Sequence, residues 1–288
     1  MKKLERKTPT RKARVSPELQ KNQGKSKSKV KSNPTVCHFP GPGGLPLTAA
    51  DLESLRPGEW LTDQVVALEV SRLEENKSLG EMKIFDSVFY QKLFATQELG
   101  KEKRLYNRVV NMLKSFNHTE HSLLLFPCCN NLHWFLIVAD MFSDTIYVLD
   151  SLNTKGAREG AKDIKIVLEE DLKQRLGEDK VMKIEVLEVP QQKNGSDCGL
   201  FCIGFITNII QKGQASFLEA VTGDTWVSGD ITSWLELEGA SRKRREIIKY
   251  IQTKSEQQGL QDWDIRRDGS RRKKTETLTK ERVMTRRF

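Results

Sequence analysis

Apolar positions change their period along this chain, and the changes mark out its elements. Residues 133–150 read as two β-rich runs around a short polar turn, Phe142-Ser143, and together predict a hairpin. Upstream, residues 122–127 predict a buried strand running into a Cys128-Cys129-Asn130-Asn131 turn, and residues 181–189 predict a further strand. Helical spacing governs the flanks. Val65, Val66, Leu68, Val70 and Leu73 follow Thr62-Asp63, either of which can cap a helix start, and Thr48-Ala49-Ala50-Asp51 opens another helix. Residues 84–93 read as a core helix and residues 104–116 as an amphipathic one. Residues 151–156 read as a loop, and residues 161–176 as a charged surface helix over the sheet. Leu200, Ile203, Gly204, Ile206, Thr207 and Ile210 place a buried helix directly after a turn-rich stretch, Pro190 to Gly195. The pattern predicts an α+β domain with a mainly antiparallel mixed sheet flanked by helices.

Two consequences of this pattern carry chemistry. The buried helix begins at Cys198, with Ser196 or Asp197 as its cap. Unpaired backbone N–H groups and the positive end of the helix dipole gather there and favour thiolate over thiol. A free cysteine in such a run is also an ordinary small core residue, and the stretch alone leaves both readings open. The second consequence is a matter of register. If Met141 pairs with Asp144, Phe135 faces Asp150, and His133 lies diagonal to Asp150 on the same face, about 7–8 Å away at the backbone. An odd loop or a bulge would turn one of the two side chains to the other face. Asp150 would then fix the imidazole tautomer, and His133 would take the proton of Cys198.

His133-Trp134 on a strand, Asp150 at the end of the next, and Pro190-Gln191-Gln192-x-Asn194-x-x-Asp197-Cys198-Gly199 resemble the ubiquitin-like-protein-specific cysteine proteases, the SUMO/sentrin proteases of the adenain-related clan. The resemblance covers residues 43–251. It implies a catalytic set of His133, Asp150 and Cys198, in the reverse of papain's chain order, with Gln192 in the oxyanion hole beside the Cys198 N–H. It also implies that Trp60 and Trp134 clamp the Gly-Gly tail of a modifier, since only glycine lets a backbone pass between two flat rings. Glu59-Trp60-Leu61-Thr62-Asp63 resembles the family's entry motif, with Thr62 where Asn is usual. Asp63 matches a residue that meets the modifier surface, and helix capping accounts for it equally well. The Gly43-Gly44-Leu45 start and Ser196-Asp197-Cys198-Gly199 resemble the branch that edits SUMO chains, although that branch's long inserts are missing. The activity implied is that of a thiol isopeptidase on SUMO conjugates, with no cofactor. Rival readings are a protease for the neddylation modifier or ubiquitin, an acyltransferase of the same clan, and a non-enzymatic modifier-binding module.

Composition changes this picture mainly at the ends. With 288 residues, 37% of them hydrophobic, the chain can build one sizeable domain with tails or two small domains. Residues 1–40 are expected to be a disordered basic arm, 41–253 the protease domain and 254–288 a basic tail. The formal net charge of +9 is concentrated in those two tails, which suggests nuclear localisation, with cytoplasm as the alternative, and a capacity for weak nucleic-acid contact. No apolar stretch approaches a membrane span and no signal peptide opens the sequence. A monomer is expected. Five cysteines at irregular spacing argue for a reducing compartment over a disulfide framework. His118, His121, Cys128, Cys129 and His133 lie close in sequence, but their spacing matches no zinc pattern.

Overall fold

A strand with apolar residues on both faces must be covered on both, and the three middle strands have this character. The computed structural model describes residues 35–38, 46–75, 79–94, 101–114, 123–222 and 239–258. In chain order the elements are β1 (Thr35–His38), β2 (Pro46–Thr48), α1 (Ala49–Glu53), α2 (Asp63–Glu74), β3 (Met82–Ile84), α3 (Val88–Phe94), α4 (Lys101–Leu113), β4 (Leu123–Asn130), β5 (His133–Asp140), β6 (Thr145–Leu149), α5 (Lys155–Leu176), β7 (Lys183–Val186), α6 (Cys198–Lys212), α7 (Gln214–Thr222) and α8 (Ala240–Gln257). The main sheet runs β3-β4-β5-β6-β7. Its middle pairings, β4 with β5 and β5 with β6, are antiparallel, and both edge strands join in parallel. The sheet is thus mixed, with an antiparallel centre.

Alternation along β4, β5 and β6 sends side chains into two separate cores. Leu123, Leu125, Trp134, Leu136, Val138, Tyr147 and Leu149 pack on one face with residues of α2, α6, α7 and α8. Leu124, Phe126, Phe135, Ile137, Ala139, Ile146 and Val148 pack on the other with α3, α4 and α5. A one-residue slip would exchange the two sets. Helix α6 carries the apolar run that follows Cys198 and is buried along most of its length. Among the described residues no helix is long and apolar enough to cross a membrane.

Helix α5 approaches the sheet closely because Gly160 has no side chain. A Cβ there would stand 2.8 Å from the Tyr90 hydroxyl and 3.0 Å from Cζ of Phe135, both in rings that are themselves buried. Gly160→Ala is therefore expected to destabilise the fold by about 1–3 kcal/mol, as overpacking does elsewhere, and a urea midpoint will measure it.

Several boundaries depart from expectation. Ile84 ends a strand, because it pairs in parallel with Leu125, and the helix expected from residue 84 starts at Val88, where Asp86 Oδ1 accepts the Val88 N–H at 3.0 Å. Cys128, Cys129 and Asn130 belong to β4, not to a turn; the turn is Asn131-Leu132, with φ of 49° and 64°. Positive φ at both central residues is the geometry that follows the twist of a two-residue hairpin. The β-rich stretch at 181–189 forms regular pairing only over Lys183–Val186. Helix α5 starts at Lys155, with Thr154 Oγ accepting the Ala157 N–H, so it begins inside the expected loop. Strand β1 falls within the expected disordered arm: Val36 is buried in the core, and its carbonyl accepts the Ser255 hydroxyl at 2.8 Å. Helix α8, carrying Ser255, correspondingly runs past residue 253 to Gln257. His118, His121 and the unassigned stretch 226–237 lie outside the described residues.

Candidate active site

The hairpin turn decides which side chains meet. Asp140 pairs with Thr145 and Leu136 with Leu149, a register that extends outward to Phe135 opposite Asp150. His133 and Asp150 accordingly share a face, and His133 Nε2 lies 2.6 Å from Asp150 Oδ1. The Phe135 ring stacks beside the imidazole, with centroids 6.2 Å apart. Asp150 directly follows β6 and is held from the other side by the loop that it opens. The Leu152 N–H donates to Oδ1 at 3.0 Å, and the N–H and hydroxyl of Thr154 donate to Oδ2 at 2.6 and 2.8 Å.

This cradle sets the charges. Burial pushes the Asp150 carboxyl up, but the hydrogen bonds from His133, Leu152 and Thr154 outweigh it and hold the group below its ordinary range. Burial pulls His133 down, and it too is outweighed, here by its bonds to Asp150 and to the Cys198 thiol, so that the imidazole is raised to about 9. With Nε2 on the carboxylate, Nδ1 is the nitrogen left for the thiol.

Cys198 is the first residue of α6, as expected, and is almost fully buried. Its Sγ lies 4.0 Å from the carbonyl oxygen of Leu132, the residue before His133. In the first turn of α6 its own N–H has no acceptor within the helix. The other described thiols are unsuited to the same work. Burial pushes Cys128 and Cys202 well above the ordinary thiol range and takes Cys129 to about 12. Asp197 occupies the cap position, but its side chain makes no capping bond. Its carboxylate instead accepts from Asn194 Nδ2 at 2.8 Å and from Arg244 at 2.7 Å.

The loop before Cys198 is folded on itself. Asn194 Oδ1 accepts the N–H groups of Ser196 and Asp197, both at 3.0 Å. Gln192 is buried beneath this turn, and its Nε2 donates to the Asn194 carbonyl at 2.6 Å. Trp60 reaches the same loop from the α1–α2 connection, its Nε1 donating to the Gly195 carbonyl at 2.6 Å while half of its surface stays exposed (52%). Trp134 does not present a matching surface. One residue beyond His133 it points to the opposite face of β5 and is 2% exposed, packed in the core that also holds Leu61 and Cys198. Asp63 does not cap its helix; it is exposed and accepts from Gln91 Nε2 at 2.8 Å. Thr62 takes the cap position and spends its hydroxyl on Asp51 of α1, at 2.8 Å. Among the described residues no cluster of His, Cys, Asp and Glu could hold a metal ion.

Arg244 was not singled out by its sequence, since it is one of four consecutive basic residues, Arg242 to Arg245, that nothing in the sequence tells apart. In the structure it is buried and stitches three segments together. It donates to the carbonyls of Ser54 at 2.9 Å and Glu59 at 2.8 Å and to Asp197 Oδ1 at 2.7 Å. Arg244→Met strands those acceptors and should cost about 3–5 kcal/mol. Arg244→Lys should recover only part, because one ammonium cannot reproduce the planar fork. Chemical denaturation of the two variants checks this.

A thiol beside an imidazole that is itself held by a carboxylate can attack a carbonyl and form an acyl-enzyme. The model of the Ulp1 protease family C-terminal catalytic domain matches residues 59–230, well over half of the chain. Human sentrin-specific protease 2 is 28% identical over 183 residues, covering 61% of this chain and 30% of that protein; the chain thus spans under a third of its relative's length. The crystal structure of a de-sumoylating protease superposes with a TM-score of 0.64 at 17% identity, covering 78% of this chain and 93% of that one. The C-terminal Ulp1 protease domain bound to SMT3, the yeast orthologue of SUMO, superposes with a TM-score of 0.52 at 24% identity, covering 79% and 90%. These two likenesses show the fold. The matched segment takes in the hairpin, the Gln192 loop and the Cys198 helix together, and the chain belongs to the Ulp1 protease family.

Proposed function

We propose that this protein is a thiol isopeptidase that cleaves after the C-terminal Gly-Gly of a ubiquitin-like modifier, SUMO foremost. The observation that carries the reading is the 2.6 Å bond between His133 Nε2 and Asp150 Oδ1, on an imidazole whose remaining nitrogen serves the Cys198 thiol. The Cys198 thiolate adds to the scissile carbonyl, and the oxyanion is met by the Cys198 N–H and Gln192 Nε2. Imidazolium at His133 gives its proton to the leaving amine as the C–N bond breaks. Neutral His133 then takes a proton from water, whose oxygen attacks the thioester, and the modifier leaves with a free carboxylate as the thiolate returns.

Family membership and the SMT3-bound neighbour support a ubiquitin-like modifier as partner. Exposed Trp60, tied to the loop that precedes the nucleophile, supplies a wall for the Gly-Gly tail, and exposed Asp63 lies one helix start away for the modifier's surface. With Trp134 covered, the clamp of two rings would need the tail to reach Trp134 by displacing its neighbours. Nuclear localisation and weak nucleic-acid contact remain readings of the basic segments 1–35 and 254–288.

The test is covalent capture. SUMO, the neddylation modifier and ubiquitin, each with a C-terminal electrophile, are incubated with the wild type. SUMO is expected to become attached to Cys198. Attachment of the neddylation modifier alone would transfer the substrate assignment, and attachment of none would overturn the isopeptidase reading. His133→Ala is expected to slow attachment with the fold intact, whereas a purely structural histidine would show lost stability instead.

A further inference from the structure

The residue after Asp150 is a serine with no role in the chemistry above, and it is buried against Gln192. The Ser151 hydroxyl donates to Gln192 Oε1 at 2.6 Å. The two segments are joined twice more: the Gln192 N–H donates to the Ser151 carbonyl at 3.0 Å, and Gln191 Nε2 donates to the Asp150 carbonyl at 3.1 Å. The strand end that holds His133 in place is therefore sewn directly to the loop that carries Gln192.

A glutamine amide has no strong preference of its own about its last torsion, so its surroundings must choose which end faces where. At one end stands the Asn194 carbonyl, which can only accept, so Nε2 must face it. Oε1 is then turned to Ser151 and needs a donor, which the hydroxyl provides. One Nε2 hydrogen is committed to Asn194 and the other is left for an incoming oxyanion.

We propose that Ser151 is a positioning residue for the oxyanion donor: its hydroxyl, opposite the Asn194 carbonyl, locks the Gln192 amide so that the nitrogen is presented to the carbonyl attacked by Cys198. This rests on the isopeptidase reading. Without the hydroxyl, Oε1 is a buried acceptor with no donor, and the amide swings to find one.

The experiment has two arms. In the first, 15N relaxation of the Gln192 side-chain amide is measured in the free protein, which needs no substrate. The amide is expected to be rigid in wild type and mobile in Ser151→Ala; equal order in both overturns the proposal. In the second, kcat and KM are measured on SUMO carrying a C-terminal aminomethylcoumarin. Ser151→Ala should lower kcat about 10-fold with KM little changed, less than the loss of an oxyanion donor outright. In a Gln192→Ala background it should lower kcat no further, because its only route to the chemistry is gone. Equal losses in both backgrounds would mark Ser151 as merely structural and overturn the proposal. A wild type that releases no coumarin defeats the isopeptidase reading, while the relaxation arm still decides Ser151. If the alanine variant does not fold, nearly isosteric Ser151→Cys, a much weaker donor, replaces it with the same outcomes.

Discussion

Cys198→Ser is expected to lose turnover of SUMO conjugates by about 10⁴-fold or more while still binding them. The substitution removes little volume from the start of α6, so the core around Leu61 and Leu200 should close over it and thermal unfolding should shift by only a few degrees. What is lost is acidity. A hydroxyl is far less acidic than a thiol, and the imidazole of His133, even with Asp150 behind it, cannot hold it as an alkoxide in the ground state. Because Trp60, Asp63 and the loop of Gln192 to Asp197 are untouched, the variant should trap conjugates with a Kd near the wild-type KM. The measurement pairs single-turnover cleavage with binding by titration. A serine variant that retained more than a hundredth of wild-type turnover would remove Cys198 from the reaction.

Asp150→Asn should reduce kcat/KM by about 10²–10⁴-fold and also change its pH dependence. The carboxylate bonds His133 directly, and together with the thiol it raises the imidazole from 6.5 to about 9 against the downward pull of burial. The wild type should therefore retain imidazolium, the acid for the leaving amine, until pH approaches 9. An amide at residue 150 keeps the burial and removes the charge, so the histidine pKa falls and the alkaline limb of the rate profile moves to lower pH. Stability follows the same sign. A histidine whose folded pKa is raised contributes its full share below pH 6.5 and loses that share as pH climbs toward 9. The wild-type melting temperature should decline over that interval, and the asparagine variant should show a flatter profile there. A rate profile that kept its alkaline limb in Asp150→Asn would mean that Asp150 does not govern the protonation of His133.

The hairpin shows why part of the site could be read before any coordinates. Pairing in an antiparallel hairpin is set by the turn, so Met141 opposite Asp144 fixes every partner up to Phe135 and Asp150. His133 and Asp150 are only 17 residues apart, and the hairpin register alone puts them on one face. The start of α6 at Cys198 is likewise local, a turn-rich stretch followed at once by helical periodicity.

Boundaries that depended on a partner strand or helix were less legible. Residues 84–93 carry apolar spacing that suits a helix, yet Ile84 belongs to the sheet because Leu125 lies alongside to receive it. Trp134 shows the limit for side chains. Its motif suggested a surface in contact with substrate, but the alternation that turns His133 one way turns Trp134 into the core that the sheet shares with α2, α6, α7 and α8.

The periodicities of this chain by themselves determined that it has an antiparallel hairpin joining an imidazole to a carboxylate, and a cysteine at a helix entrance, since both follow from spacings of a few residues. Only the tertiary structure decided that α6 brings its thiol to that hairpin, that Ser151 grips Gln192 across 41 residues, and that Arg244 grips Asp197 across 47. Those contacts join segments with no pattern in common, and they are specified by how the layers pack around the sheet, a property of the whole fold that no short stretch carries.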